Sequence, residues 1–433
     1  MALAVFLAVT AGAGLRSARA GDTDDPAREG APVRRVSWSG NRSTRDFVIA
    51  REVRTCTGCP FSNEVLGRDR LRLENLGIFA SVEATAAVAA DSVDVEFLLV
   101  EMPSYVPYVV FAYTEENGVS LGPALGALNL FGRDIAGSVQ FAFGGTTTFG
   151  VDLVHPWVAG DHVSVSFTSA RLERDDLVRG FEERSLEISP WVGTHAGERG
   201  RLEAGFSYLR MESATGGITL DADGEDNLYS AGVRAGYDTR DSWLWPHRGW
   251  RGRLEIVRTG GLFGGDGDFW TGSIDATRFQ PMGRHTLALG LLTSLQSGSI
   301  GRDIPVYLDY RMGGANTIRG HDVEELGRTV FGKNQALGTI EYQYELRPMR
   351  ALRLARWPVR IGVQLAAFAD AGTAWSNPDD LVEERLHAGY GAGLRLIVPG
   401  VEMLRFDVAF SPEGTFFHFA TGSKFTAQRM RLR

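Results

Sequence analysis

Few residues in this chain are spaced for chemistry, and the candidates fall into three groups. Cys56-Thr57-Gly58-Cys59-Pro60 contains both cysteines of a 433-residue sequence. A CxxC pair can be a redox couple, half of a zinc site or a staple. A zinc site needs four ligands, and no second pair exists to complete the set. A redox couple normally opens a helix in a βαβ context, which the flanking residues do not supply. In an oxidising compartment the favoured reading is a local disulfide, of small stabilising effect because the loop it closes is short. The second group, Asp221-Ala222-Asp223-Gly224-Glu225-Asp226, has the composition of a calcium loop without its spacing, and reads as a solvated external loop. The third group is a set of carboxylates on alternating segments, Glu341 and Asp370 among them. Two such groups could act as a catalytic pair, but structural or pore-lining use is the stronger expectation. There is no nucleophile elbow, phosphate loop or metal-ligand helix, and eight histidines offer few ligands. The expectation is a protein that is no enzyme and carries neither cofactor nor metal.

The segments that carry Glu341 and Asp370 decide where those carboxylates point. Ile340, Tyr342, Tyr344 and Leu346 alternate with Glu341, Gln343 and Glu345. Val359, Ile361, Val363 and Leu365 occupy alternate positions leading to Asp370. A period of two with one apolar face marks a half-buried strand. The same text recurs from Pro107 onward, as in Val139-Phe141-Phe143, Leu202-Ala204-Phe206-Tyr208 and Leu404-Phe406-Val408-Phe410, the last bracketing Arg405 and Asp407. A soluble sandwich also alternates. Length and aromatic placement favour a transmembrane barrel: the strands read as about 9–12 residues, enough to cross a bilayer when tilted. Trp157, Trp191, Trp243, Trp245, Trp250, Trp270, Trp357 and Trp375 sit near strand ends, as interface girdles would. Roughly sixteen strands fit between Val106 and Phe425, and both carboxylates would then point into the lumen. Asn129 to Asp134 and Arg284 fall in short turns. The longest break, Ser297 to Lys333, is long enough to be functional.

The rest of the chain supports export. Hydrophobic residues make up 44%, and no stretch beyond the N-terminus is apolar for the about 18 residues a membrane helix needs. The formal charge of −8 argues against a nucleic-acid partner. Residues 1–20 read as a signal peptide: an apolar run to Leu15, then Ser17-Ala18-Arg19-Ala20 as a cleavage site. No basic residue precedes the run, so the true start codon is open. Residues 21–32 read as a disordered linker. Residues 33–102 read as strand, helix, helix, strand, strand: Val33 to Trp38, a helix from about Arg45 to Val53 with Ser43 or Thr44 as N-cap, a helix from Ser62 to Leu76, then Phe79 to Val88 and Ser92 to Val100. Residues 103–433 make up the barrel.

Several motifs carry a family likeness. Gly40-Asn41, Thr44 and Leu73-x-x-Leu76-Gly77-x-Phe79-x-x-Val82 make the N-terminal part resemble one polypeptide-transport-associated (POTRA) domain, with the small βααββ α+β fold. Met312-Gly313-Gly314-Ala315-Asn316-Thr317-Ile318-Arg319-Gly320-His321 resembles the loop motif of the BamA/TamA surface-antigen superfamily of outer-membrane assembly and translocation barrels. His321 stands where that motif carries an aromatic ring. Asn129-Leu130-Phe131-Gly132, Tyr237-Asp238-Thr239-Arg240-Asp241 and Phe368-Ala369-Asp370-Ala371-Gly372 match further family positions in order, as does a closing strand with Phe417, Phe419, Gly422 and Phe425. The resemblance implies an all-β barrel of about 16 antiparallel strands, whose loop folds back inside. It also implies that Ile318, Arg319 and Gly320 lock that loop against Glu341 and Asp370.

In function, the resemblance implies insertion, assembly or translocation of proteins at the bacterial outer membrane. The POTRA domain would lie in the periplasm and capture clients, and a lateral seam would lie between the first strand (about Val106 to Thr114) and the last (about Thr415 to Phe425). The implied partners are unfolded outer-membrane or secreted client proteins and outer-membrane lipid, around a monomeric barrel. The alternatives are a passive pore and a translocator of the two-partner secretion type, against which a single POTRA domain counts.

Overall fold

The computed structural model describes residues 29–114, 117–159, 163–197, 199–242, 245–354, 357–377, 379–380, 386–398, 401–422 and 424. The expected signal peptide, residues 21–28 of the expected linker, Trp243 and Phe425 lie outside the described residues.

The N-terminal domain runs β1 (Val33–Ser39), α1 (Asp46–Ala50), α2 (Asn63–Asn75), β2 (Phe79–Ala89) and β3 (Ser92–Glu101). β3 is central, pairing parallel with β1 and antiparallel with β2. One face of the sheet buries Val93, Val95, Phe97 and Leu99 with Leu66 and Leu73 from α2, and Val48 and Ile49 from α1. Each such side chain contributes about 1.5–3 kcal/mol relative to exposure.

α1 is shorter than the sequence suggests, and neither Ser43 nor Thr44 is its N-cap. Glu101 of β3 takes the Ser43 and Thr44 N–H groups at 3.0 and 2.6 Å, so the helix begins after Arg45. Beyond Ala50, the Arg54 and Thr55 N–H groups donate to buried Asp69 of α2, which draws the chain out of the helix. Cys56 and Cys59 are joined in a disulfide, with Cα atoms 5.4 Å apart.

Sixteen strands form one antiparallel sheet in sequence order. They are β4 (Tyr105–Thr114), β5 (Gly118–Leu130), β6 (Ile135–Gly144), β7 (Thr146–Ala159), β8 (Val163–Asp176), β9 (Phe181–Ala196), β10 (Gly200–Glu212), β11 (Glu225–Asp238), β12 (Gly249–Thr259), β13 (Phe269–Met282) and β14 (His285–Gln296). After the long loop, which carries the short strands β15 (Tyr310–Arg311) and β16 (Phe331–Gly332), come β17 (Asn334–Leu354), β18 (Trp357–Trp375), β19 (His387–Val398), β20 (Val401–Ser411) and β21 (Gly414–Thr421). Among the described residues no helix is long and apolar enough to cross a membrane. The crossing is made by strands, whose outward residues are apolar: Val139, Phe141 and Phe143 on β6, Leu254 and Ile256 on β12, Ile340 and Leu346 on β17 are all exposed.

Nine of the sixteen strands exceed the expected 9–12 residues, reaching 21 in β17 and 19 in β18. At about 3.3 Å per residue these two overshoot the bilayer, and the excess is a hairpin at the end nearest the N-terminal domain. The tryptophans also divide. Trp250 and Trp270 are exposed, at opposite ends of the antiparallel β12–β13 pair. Trp191 is instead buried inside, its ring 3.2 Å from the Arg234 guanidinium carbon. Trp245 is buried too, donating to Glu345 at 2.9 Å.

The N-terminal domain is docked on the turn between β5 and β6. Arg45 N–H donates to the Gly132 carbonyl at 3.0 Å, and Asn129 donates to the Thr44 hydroxyl at 2.8 Å. Arg51 pairs with Asp134 at 2.6 Å. Gly132 has φ +70, and a Cβ there would overlap the Ser43 carbonyl.

Candidate functional site

The segment between β14 and β17 is not structureless. It holds a 3-10 turn (Val306–Leu308), the β15–β16 pair and a helix, α3 (Val323–Thr329). Asp322 caps α3, accepting from Glu324 N–H at 2.7 Å and Glu325 N–H at 3.2 Å. An apolar cluster of Tyr310, Met312, Ile318, Leu326 and Val330 packs on Leu292, Leu337 and Ala374 of the barrel wall. That cluster folds the loop inward.

Arg319 lies at the inner end of the loop, fully buried. Its Nε is 2.7 Å from Asp370 Oδ2, its Nη2 3.1 Å from Asp370 Oδ1, and its Nη1 3.0 Å from Glu341 Oε2. The guanidinium lies over the Phe368 ring, 3.4 Å from its centroid. Thr339 donates to Asp370 at 3.0 Å and Gln343 to Glu341 at 2.9 Å, occupying further carboxylate lone pairs. The loop backbone joins in: Arg319 N–H reaches Asp370 at 3.2 Å and Gly320 N–H reaches His418 Nε2 at 3.0 Å.

The cluster is larger than the three residues singled out from the sequence. Arg395 of β19 contacts Glu341 at 2.8 Å and also Asp407 of β20, whose carboxylate is 3.3 Å from Arg319. Arg405 donates to the Ala315 and Gly422 carbonyls at 3.2 and 2.9 Å and to the Asn316 side chain at 2.7 Å. Lys424, beyond β21, lies 2.8 Å from Asp370 and donates to the Thr317 carbonyl. All seven charged groups are buried. Arg405 and Asp407 carried a readable signal, since they alternate with Leu404, Phe406 and Val408. Lys424 falls inside the expected closing strand, but β21 ends at Thr421, so its position is not set by strand alternation. Each carboxylate is already ion-paired, so the arrangement is suited to hold the loop and not to move a proton.

A second set fastens the opposite side of the loop. Arg311 reaches Asp176 of β8 at 2.8 Å, Asp309 pairs with Arg179, and Tyr307 donates to Asp226 at 3.0 Å. Asp226 is thus not part of a solvated loop. It is fully buried, and also accepts the Leu220 and Asp221 N–H groups at 2.8 and 3.1 Å.

On the closing strand, Phe417 is exposed, Phe419 packs beside Phe406 with ring centroids 4.9 Å apart, and Gly422 N–H donates to Met403 at 2.7 Å. Among the described residues the sheet runs from β4 to β21 with no pairing between those two strands.

Residues 129–425 match the family model for the Omp85 superfamily domain, and residues 31–102 match that for the POTRA surface antigen variable number repeat. The outer membrane protein assembly factor BamA of Neisseria meningitidis serogroup B is 26% identical over 414 residues, covering 83% of this chain and 49% of that protein. BamA of Nitratidesulfovibrio vulgaris is 24% identical over 397 residues, covering 87% and 48%. The chain therefore spans about half the length of the curated relatives it matches. In fold it resembles Haemophilus ducreyi BamA lacking POTRA domains 1–3 (TM-score 0.58, 16% identity, 90% of this chain and 83% of that one). It also resembles CdiB from Escherichia coli (TM-score 0.58, 13% identity, 91% and 75%). With its barrel and its N-terminal repeat both matched, the chain belongs to the Omp85 superfamily, as an outer-membrane barrel carrying a POTRA domain on the periplasmic side.

Proposed function

We propose that this protein assists the insertion or translocation of client proteins at the outer membrane, passing them from the POTRA domain to a seam between β4 and β21. The observation that carries the reading is the absence, among the described residues, of a ladder between these strands in an otherwise continuous sheet. Opening these two strands fully would leave N–H and C=O groups unsatisfied in lipid, each costing several kcal/mol. A client strand satisfies them by pairing, whatever its side chains, because the bonds are main chain to main chain. β2 at the border of the POTRA sheet would offer the first such pairing. The clients are unfolded outer-membrane or secreted proteins, the barrel acts as a monomer, and its export is accompanied by cleavage after Ala20. Ile318, Arg319 and Gly320 hold the loop in the lumen through Glu341 and Asp370, so the lumen is plugged while the seam opens. That plug weighs against a passive pore.

The test is to place cysteines on β4 (Tyr108 or Val110) and on β21 (Phe416 or Ala420) and to oxidise the pair in proteoliposomes. Client insertion should stop on oxidation and return on reduction. Insertion that continues through a locked seam would reject the proposal and favour conduction through the lumen.

A further inference from the structure

We infer that His321, His387 and Glu413 form a three-ligand site for a divalent transition-metal ion of the zinc class. His321 is the loop residue after Gly320, His387 opens β19, and Glu413 lies in the β20–β21 turn. His321 and Glu413 are 92 residues apart in sequence. One potential ligand atom from each residue lies within 4.8 Å of the other two.

The hydrogen-bond geometry around His321 sets what the junction can hold. His321 is buried, and its Nε2 lies 3.0 Å from the Ala388 carbonyl oxygen. A carbonyl can only accept, so that nitrogen carries the proton. In the neutral ring Nδ1 is then a lone pair, and 2.8 Å away is the Glu413 carboxylate, a second acceptor. Two acceptors at that distance need a cation at their junction. A proton would satisfy the pair without help. His387 adds a third ligand: its ring stands edge-on to His321 at 85°, centroids 5.9 Å apart, with a ring nitrogen within 4.8 Å of the other two ligand atoms.

Two imidazoles and one carboxylate suit zinc, with water as the fourth ligand. Calcium and magnesium favour all-oxygen sets. Tetrahedral zinc holds its ligand atoms roughly 3.4 Å apart. The Nδ1–carboxylate pair would therefore spread slightly and His387 close in. Glu413 is exposed and His387 half-buried, so both can adjust. The Ala388 carbonyl is the outer partner that fixes a metal-bound histidine. The ion would tie the loop tip to the ends of β19 and the β20–β21 hairpin, on the side of the barrel away from the POTRA domain.

The test uses untagged, full-length protein folded in detergent and stripped with EDTA. Calorimetric titration with zinc chloride should show one ion per chain, and cobalt chloride should give tetrahedral d–d absorption that zinc abolishes. His387→Gln and Glu413→Gln, checked for folded migration on gels, should each weaken binding by more than the about 10–100-fold that loss of an outer partner costs. Zinc should raise the unfolding temperature of the unsubstituted chain and not of either variant. No saturable binding, or binding unchanged in both variants, overturns the proposal. So does a heat stability that follows pH but ignores zinc, which would assign the junction to a proton.

Discussion

Arg319 and Asp370 meet as a two-pronged pair, Nε to Oδ2 at 2.7 Å and Nη2 to Oδ1 at 3.1 Å, with neither side chain exposed to solvent. The pair joins a loop to a strand 51 positions later in the chain, so it acts on tertiary structure and not on either element alone. Breaking a buried pair leaves an uncompensated charge, at about 3–5 kcal/mol. Arg319→Ala should lower the temperature at which the folded band converts to the unfolded form on gels. Arg319→Lys should not restore it, because an ammonium cannot fill both prongs. Unchanged conversion temperatures in both variants would remove the loop lock from the account.

The wider cluster sets an order among its members. Four cations (Arg319, Arg395, Arg405, Lys424) face three carboxylates (Glu341, Asp370, Asp407). Removing a carboxylate leaves four cations against two, whereas removing Lys424 leaves three against three. Asp407→Asn should therefore destabilise more than Lys424→Met, although the latter also loses a bond to the Thr317 carbonyl worth about 1 kcal/mol. Urea midpoints of the two variants decide it. Equal midpoints would mean that charge balance does not govern the site.

The legible part of this site followed from the period of two. Glu341 and Asp370 face inward because Ile340, Tyr342 and Leu365 face out. The same parity on β20 already put Arg405 and Asp407 inside, but nothing in one strand's text says which inward charges touch across the lumen. Trp191 shows the limit from the other side. A tryptophan near a strand end suits a membrane interface, yet Trp191 alternates with outward Val192 and so lies under Arg234. The early end of α1 could not be read locally, because Glu101 and Asp69, which bound it, come from β3 and α2.

The closest approach of the loop to the wall is set by a residue without a side chain. A Cβ built on Gly389 of β19 would overlap the Arg319 carbonyl oxygen. Backbone cannot move aside as a flexible side chain can, so Gly389→Ala should expel the loop tip while the strand itself survives. Amides of residues 312–321 should then exchange hydrogen faster. Gly338→Ala is the control, since a Cβ there meets nothing nearer than the Ala371 carbonyl at 3.8 Å. Equal protection in both variants would contradict the steric argument.

The joint between the POTRA domain and the barrel should respond to pH through Asp134, in the turn before β6. Burial pushes its carboxyl up to about 7, and Glu52 nearby adds to the rise. Arg51 opposes it at 2.6 Å, but its charge is shared with Glu52 at 3.5 Å and its plane lies 4.8 Å over the Trp157 ring. Undocking rehydrates Asp134 and returns it toward about 3.9. The docked state thus holds a proton that the undocked state releases. Its contribution is fully present below about pH 4 and is lost as pH rises to about 7, by at most about tenfold in the docking equilibrium per pH unit. Distances between spin labels on the POTRA domain and the β5–β6 turn, measured from pH 5 to 8, should show undocking increase with pH. Asp134→Asn should flatten that profile, which separates it from His155 on β7, near Arg51. A profile that keeps its slope in the Asn variant would remove Asp134 from the account.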